Sequence, residues 1–132
     1  MIEEVVLRKF VTWIKLKVKL HIADINFYFH EREIWWASLG ANVGYEQDGK
    51  NKKFERPVLI VKKFNSHLLW VLPLTSTVKE HKYYFRTMYE NREYCIILSQ
   101  IRTISSKRLL RKIRTLPVDE FEGVKEKIRA IL

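Results

Sequence analysis

The sequence contains few of the residues that build disulfides and metal clusters. Its 132 residues include a single cysteine, Cys95. One cysteine excludes an internal disulfide and a cysteine-based metal cluster within one chain. The spacing of the four histidines forms no metal motif either: His21, His30, His67 and His81. We therefore expect no metal ion and no other cofactor.

Long apolar runs are absent as well. The longest run, residues 68–74, is far shorter than the roughly 20 apolar residues of a membrane span. At the N-terminus, Glu3, Glu4 and Arg8 interrupt the apolar residues, which is unlike a secretory signal peptide. We expect a cytoplasmic protein with no membrane partner, which also suits a lone cysteine in a reducing compartment.

Positive charge is what the chain has in excess. Lys and Arg number 25 against 15 Asp and Glu, which gives a net charge of +10. A field of that sign attracts polyanions and speeds their encounter. Nucleic acid is the first candidate partner, an acidic protein the second and an anionic membrane the third. Charge alone does not choose among them.

The chain divides into two segments of different pattern. Residues 1–21 place Val6, Phe10 and Trp13 or Ile14 at helical spacing. The alternation of lysine and apolar residues over 15–20 also suits a strand, but the length and the lack of turn residues favour a helix that packs on the rest of the protein. An aromatic connector follows over 22–30. The prediction is an N-terminal helical extension and connector over 1–30, followed by one domain over 31–132.

After residue 30 the pattern is typical of strands. Short apolar and β-branched segments bounded by turn residues predict strands over 33–39, 57–64, 68–74, 83–88, 94–98 and 99–104. A long polar loop over 41–55 separates the first two. Trp35 and Trp36 adjoin on the first strand, so one should enter the core and the other should meet a partner or a base.

The last third of the sequence favours helix. Ser105 or Ser106 is predicted to cap a short helix that ends at Ile113. Pro117 should start a second helix. The apolar stripe of that second helix is Phe121, Val124, Ile128 and Ile131. Closely spaced antiparallel strands followed by a terminal helix indicate a compact, barrel-like α+β domain.

Several motifs occur in a particular order. They are Glu33-Ile34-Trp35-Trp36, Gly44-Tyr45-Glu46-Gln47, Arg56-Pro57 with the apolar strand after it, Leu74-Thr75-Ser76, and Gln100-Ile101-Arg102-Thr103-Ile104. This order resembles the MazF/PemK toxins over roughly residues 32–132. The loop over 48–55 is longer than in compact members of that family, and Tyr45 stands where serine is common.

The resemblance implies a fold and an activity. The fold would be a small SH3-like antiparallel β-barrel of the MazF/CcdB type with a C-terminal helix, to which this chain adds an N-terminal helix. That helix would pack on the barrel or at the dimer interface through Val6, Phe10 and Trp13, or else serve as a docking handle for an antitoxin. The protein would be a homodimeric toxin of a type II toxin–antitoxin system, silenced by an acidic antitoxin. Its activity would be metal-independent cleavage of single-stranded RNA by the 2′-hydroxyl, leaving a 2′,3′-cyclic phosphate and a 5′-hydroxyl.

The family's catalytic pair maps by motif onto Arg56 and Thr75. An arginine fork can stabilise charge that develops on a phosphate, and a threonine hydroxyl can donate to the same group. For Arg102, a structural role at the core rim or in a dimer contact is favoured over a catalytic one. The candidate RNA-binding residues are Glu46, Gln47, Ser76, Lys79, His81, Arg102, Lys107 and Arg108.

The segment 101–115 holds six basic residues and no acidic one. Such a patch can bind phosphates, hold an acidic antitoxin or form a solvated helix face. Two other functions stay open at this point. One is a non-catalytic CcdB-like toxin that inhibits DNA gyrase by protein contact, and the other is a degenerate RNA-binding module without cleavage.

Overall fold

The computed structural model describes all 132 residues, in two α-helices and one curled antiparallel sheet. The helices are α1 (Ile2–Ile22) and α2 (Val118–Ile131). The strands are β1 (Glu33–Ser38), β2 (Glu55–Lys63), β3 (Leu68–Thr75), β4 (Tyr84–Tyr89), β5 (Arg92–Ile97), β6 (Arg102–Ser105) and β7 (Leu109–Thr115). The predicted α+β class, with a barrel-like sheet and a helix at each end of the chain, is confirmed. Neither helix is apolar enough over a sufficient length to cross a bilayer.

Strand β3 is the branch point of the sheet. The strand order is β4-β5-β3-β2-β1-β7, with β6 paired to β3 beside this path. The first half of β3 pairs with β6, from Leu68 to Val71, and its last residues Leu74 and Thr75 pair with β5. Because one edge of β3 serves two partners, the sheet bends there and curls into a half-barrel.

The central strands bury both of their faces. Side chains alternate along a strand, and in β2 Val58 and Ile60 lie in one cluster while Leu59 lies in another. The first cluster fills the inside of the curl: Phe29, Trp35, Ala37, Leu39, Val58, Ile60, Leu69, Val71, Ile104 and Leu109. The second lies beneath α2: Ile34, Leu59, Leu72, Leu74, Ile96, Leu98, Leu116, Phe121 and Val124. Of the predicted α2 stripe, Ile131 is exposed and does not join this cluster.

The two adjoining tryptophans face opposite sides of β1, as predicted. Trp35 is buried in the inner cluster. Trp36 is only partly buried, and the Arg111 guanidinium lies 5.0 Å from its ring. Trp36 is therefore the ring of the pair that can meet a ligand.

The predicted short helix that ends at Ile113 is wrong. The Ser105 hydroxyl does accept a hydrogen bond from the Lys107 N–H, at 3.2 Å, but only a single 3-10 turn follows, over Ser106–Arg108. From Leu109 the chain is extended and pairs with β1 as β7. As a strand, β7 supplies backbone hydrogen-bond partners for the edge of β1, and Leu109 packs in the inner cluster. These long-range contacts outweigh the local helical signal.

Helix α1 packs on the loop between β1 and β2 through a face that includes two of the predicted residues. Its packed residues are Phe10, Trp13, Leu16 and Leu20. The predicted contact of Val6 is wrong, since this side chain is 45% exposed. Of the alternatives Trp13 and Ile14, Trp13 is the one that packs, and Ile14 is 57% exposed. The predictions for Phe10 and Trp13 are confirmed.

Trp13 is the anchor of this helix. Its ring packs with Ala41 and with Phe54, whose ring centroid lies 5.5 Å away. Gly40, at φ +83°, leaves room for it, because a Cβ there would lie 2.2 Å from the indole. The loop between β1 and β2 therefore supplies the docking surface for α1.

Replacing Trp13 with Ala should destabilise the protein by about 3 kcal/mol, because it removes a buried indole and leaves a cavity. The measurement is urea unfolding followed by circular dichroism. Ile14→Ala is the control, since this exposed neighbour should change stability by less than about 0.5 kcal/mol. Deleting residues 1–21 should also lower the melting temperature. Unchanged unfolding of both Trp13→Ala and the deletion would contradict this packing.

Glu33 ties the start of β1 to its surroundings. Its carboxylate accepts hydrogen bonds from the His30 N–H at 2.9 Å and the Trp35 indole N–H at 3.0 Å, and Lys112 Nζ lies 3.1 Å away. Burial acts to raise the pKa of Glu33, but the indole, the backbone N–H and Lys112 together hold that pKa below its ordinary value. The carboxylate form is therefore the one that the fold stabilises.

The stabilising effect of Glu33 should depend on pH. Because its pKa is lower in the folded chain, its contribution is complete above the unfolded-state pKa of about 4.3 and is lost as pH falls through the folded value. At neutral pH, Glu33→Gln should lower the free energy of unfolding by about 1.5–3 kcal/mol, the range for charge-assisted hydrogen bonds. Urea unfolding of both proteins between neutral and acidic pH checks this. The exposed Glu122→Gln serves as control, and a gap between Glu33→Gln and wild type that stays constant down to acidic pH would refute the linkage.

Candidate functional site

Arg56 and Thr75 lie on neighbouring strands at the same end of the sheet. Strands β2 and β3 pair with Val58 opposite Pro73 and Leu59 opposite Leu72. The same register, continued to the end of β3, places Arg56 opposite Thr75. Directly opposed residues of an antiparallel pair project to the same face, so the fold brings the predicted catalytic pair together.

Both side chains line one pocket. The residues around it come from β1, β2, β3, β5 and the loop before β2: Trp36, Lys50, Asn51, Glu55, Arg56, Pro57, Leu74, Thr75, Ser76 and Tyr94. Three of the ten residues proposed from the sequence therefore share this pocket, namely Arg56, Thr75 and Ser76.

Backbone carbonyls hold the Arg56 guanidinium in place. Its Nε donates to the Asp48 carbonyl at 2.7 Å, and its Nη1 donates to the Leu74 carbonyl at 3.2 Å. Burial lowers the pKa of Arg56, and the negative charge of Asp48 partly opposes that shift. A guanidinium has five N–H donors, so three remain for a ligand in the pocket.

Thr75 is oriented through its hydroxyl oxygen. This atom accepts the Thr77 N–H at 3.2 Å, where the chain leaves β3. The backbone of Thr75 pairs with Cys95 of β5. Because the oxygen is engaged as an acceptor, the hydroxyl proton stays available to donate into the pocket.

Asp48 connects Arg56 to the loop between β1 and β2 and to helix α1. Its carboxylate accepts the Asn42 N–H at 2.6 Å and pairs with Lys9 Nζ of α1 at 3.1 Å, while its carbonyl receives Arg56. Gln100 braces the same loop, accepting the Gln47 N–H at 3.3 Å and donating to a loop carbonyl. Gln100, the first residue of the Gln100-Ile101-Arg102-Thr103-Ile104 motif, therefore holds the loop and does not line the Arg56 pocket.

A tight turn brings Lys50 and Asn51 to the pocket, and the sequence reasoning missed both. Lys50 and Glu55 form a β-bridge, and Asn51 adopts the left-handed conformation at φ +67°. The signal in the sequence was three lysines within the six residues before Arg56. The turn places two of them, Lys52 and Lys53, on the surface beside Lys50.

Glu46, Gln47 and Arg102 line a second depression, separate from the Arg56 pocket. Pro73 lines this depression, whereas the next residue of β3, Leu74, lines the Arg56 pocket. The Glu46 carboxylate accepts the Val43 N–H within its own loop at 3.0 Å. Burial lowers the pKa of Arg102, and the nearby Glu46 opposes that shift.

Lys79 and His81 lie in a third depression, together with Tyr83 and Tyr84. His81 Nδ1 accepts the Tyr83 N–H at 3.2 Å. The structure does not bring either residue into the Arg56 pocket.

Lys107 and Arg108 contact α1 and the end of β1. Lys107 Nζ donates to the His21 carbonyl at 2.5 Å. Arg108 donates from Nη1 to the Ser38 carbonyl at 3.1 Å, and its guanidinium lies 5.5 Å from the Trp13 ring. Burial lowers the pKa of Arg108, and the neighbouring charge of Arg102 adds to that shift. In this arrangement the two side chains fasten α1 to the sheet.

Acidic residues of β1 and β2 offset part of the basic segment over 101–115. Arg111 forms a bidentate pair with Glu55 at 3.0 and 3.1 Å, and Lys112 pairs with Glu33 at 3.1 Å. The segment is a strand here, so the alternative of a solvated helix face is wrong. The charge that it presents to a polyanion is lower than its count of basic residues implies.

An aromatic depression adjoins the Arg56 pocket. It shares Trp36 and Tyr94 with that pocket and adds Tyr89. Two arginines cover its rings, with Arg114 4.6 Å from Tyr89 and Arg92 5.8 Å from Tyr94. Aromatic faces beside cations are suited to stacking nucleobases and contacting the phosphates between them.

Nowhere does the structure bring together three or more His, Cys, Asp or Glu side chains able to hold a metal ion.

Similarity to solved structures is extensive. The fold is similar to that of MazF from Deinococcus radiodurans (TM-score 0.64, 18% identity, covering 80% of this chain and 97% of that one). It is also similar to the Mycobacterium tuberculosis toxin MazF-mt6 (TM-score 0.58, 22% identity, 75% and 94% covered).

A third similar structure is an endoribonuclease from a mycobacterial species in complex with its cognate antitoxin (TM-score 0.58, 12% identity, 78% and 93% covered). No curated protein sequence matches the chain. The sequence model of the PemK-like, MazF-like toxins of type II toxin–antitoxin systems matches residues 30–132. The chain therefore belongs to this family of MazF/PemK toxins, with α1 lying outside the part that the family shares.

Proposed function

We propose that this toxin is a metal-independent endoribonuclease that cleaves single-stranded RNA, with Arg56 and Thr75 as its catalytic residues. The observation that carries the proposal is the shared pocket, in which Arg56 has three free N–H donors and Thr75 a free hydroxyl proton. The similar endoribonuclease with its cognate antitoxin has the same fold.

The reaction needs no group from outside the chain and the RNA. The 2′-hydroxyl oxygen attacks the adjacent phosphorus, so an O2′–P bond forms and the P–O5′ bond breaks. The 2′-hydroxyl loses its proton and O5′ gains one, which gives a 2′,3′-cyclic phosphate and a 5′-hydroxyl. Negative charge builds on the phosphate oxygens meanwhile, where a fixed guanidinium and a hydroxyl donor stabilise the transition state more than the ground state.

Arg56 acts mainly as a charge stabiliser. A guanidinium stays protonated in proteins, and two carbonyls already fix the orientation of this one. Its partial burial strengthens its interaction with an anion, because water screens the pair less. Thr75 donates from the neighbouring strand, so the two groups reach the phosphate from β2 and β3.

The surroundings of the pocket favour a single-stranded substrate. Trp36 and Tyr94 form part of both the pocket and the aromatic depression. A base can stack on such rings only when it has left its own stack, as in single strands and loops. Lys50 at the rim supplies charge for a flanking phosphate.

The proposed partners follow from charge. The net charge of +10 suits both an RNA substrate and an acidic antitoxin. From the family resemblance we also propose a homodimer, and from the lone cysteine a cytoplasmic location. The same attraction would let an acidic antitoxin compete with RNA for one surface.

Arg56→Ala and Thr75→Ala should each slow cleavage by about 10²–10³-fold, the cost of one donor to a developing oxyanion. The assay is cleavage of a long single-stranded RNA in the presence of EDTA, with end analysis for the cyclic phosphate and 5′-hydroxyl. Arg129→Ala, an exposed arginine on α2, is the matched control and should cleave as wild type. If folded wild type fails to cut several RNAs, the protein is a binder, and inhibition of DNA gyrase or RNA binding without cleavage becomes the test.

Lys50→Ala should weaken RNA binding more than it slows the bound complex, because Lys50 contacts a flanking phosphate rather than the reacting one. Loss of one phosphate contact should make the slope of log affinity against log salt shallower by about 0.7. Single-turnover kinetics at several salt concentrations separate the two effects. Lys62→Ala, an exposed lysine farther along β2, is the control. An unchanged salt slope for Lys50→Ala would remove Lys50 from the binding surface.

A further inference from the structure

Helix α1 carries a second apolar stripe that nothing in the chain covers. Its members are Leu7, Val11, Ile14, Val18 and Ile22, between 43% and 72% exposed. At about 100° per residue they fall within an arc of about 80°, roughly opposite the face through which Trp13 packs on the loop between β1 and β2. One face of α1 is therefore used by the fold and the other is free.

The shape of this stripe suits another helix. Leu7, Val11, Ile14 and Val18 follow a spacing of four, three and four residues, the a/d pattern of a coiled-coil seam. The arc is narrower than the apolar face of a typical surface helix. Helices that lie in a membrane interface carry Trp, Phe and Leu on their apolar side, whereas the aromatic residues of α1, Phe10 and Trp13, face the loop between β1 and β2.

Unpaired positive charge borders the stripe. Arg8, Lys15 and Lys19 lie along one edge of it, and all three are exposed. None of them forms an ion pair within the chain, whereas Lys9, on the side toward the sheet, pairs with Asp48. These three cations are free to meet acidic groups of a partner.

The same charges disfavour a second copy of α1 as the occupant. In an antiparallel two-fold pair the basic edge of each helix faces the same edge of the other. Basic residues of this edge would then lie near basic residues of the copy, and like charges at a helix contact are destabilising. An acidic helix gains from the same geometry.

We propose that the exposed stripe of α1 docks an amphipathic helix of a partner protein, with acidic residues beside its apolar seam. Apolar side chains supply the affinity, and Arg8, Lys15 and Lys19 select the acidic partner. The proposal does not depend on RNA cleavage, because no residue of the stripe lines the Arg56 pocket.

The probe is a labelled synthetic helix as long as α1, with Leu and Ile at its a and d positions and Glu at the flanking positions. A matched peptide has Lys at those flanking positions. Fluorescence anisotropy with the full chain should show binding of the Glu peptide at least about tenfold tighter than of the Lys peptide. Lys15→Glu/Lys19→Glu should reverse that preference.

The seam is tested with Val11→Ser/Ile14→Ser. These residues are 43% and 57% exposed, so the fold should persist, and affinity for the Glu peptide should fall at least about tenfold. Ile131→Ser/Val118→Ser on α2 is the matched control, with the same exposures of 43% and 57%, and should bind as wild type. RNA cleavage should be equal in all of these proteins, so failure of the nuclease proposal and failure of this one are distinguishable.

Three results would overturn the proposal. The first is equal binding of both peptides by wild type, or binding of neither. The second is self-association of wild type in sedimentation that Val11→Ser/Ile14→Ser abolishes, which would make a second copy the occupant. The third is sedimentation with phosphatidylcholine–phosphatidylglycerol vesicles that depends on Val11 and Ile14, which would make the occupant a membrane.

Discussion

Burial of both faces of the central strands is the constraint on which the rest of the structure depends. Strands β1, β2 and β3 carry apolar residues at consecutive positions, so water must be excluded from both sides. Curling of the sheet closes one side, and α2 covers the other. The branch at β3 follows, because its edge must pair with β5 beneath α2 and with β6 around the curl.

The candidate site lies where this packing stops. Arg56 and Thr75 lie near the ends of β2 and β3, where the buried core gives way to a pocket open to solvent. A guanidinium at such a boundary loses part of its hydration, and the Asp48 and Leu74 carbonyls replace it. The long loop between β1 and β2 therefore has a structural role, because its Asp48 carbonyl helps to fix the Arg56 guanidinium.

The sequence predicted the structure correctly where its pattern was local or its motif specific. Short apolar and β-branched runs bounded by turn residues predicted six of the seven strands, and motif order brought Arg56, Thr75 and Ser76 to one pocket. It failed over 105–113, because one helical turn and a serine cap resemble a helix start, whereas the pairing with β1 depends on residues far away in the chain. Lys50 and Asn51 were missed for a similar reason, since only the folded turn brings them to the pocket that Arg56 lines.

Gly40 and Trp13 constrain each other in evolution, because the indole occupies the space that a side chain at position 40 would need. Any side chain at position 40 would overlap the Trp13 ring, so the barrel can accept α1 in this position only while residue 40 lacks a Cβ. A lineage that acquires such an extension must already have, or gain, that glycine, and one that replaces the glycine must give up the indole. Pairwise change at positions 13 and 40 among relatives would then distinguish toxins that carry a docked N-terminal helix from those in which the same segment is free.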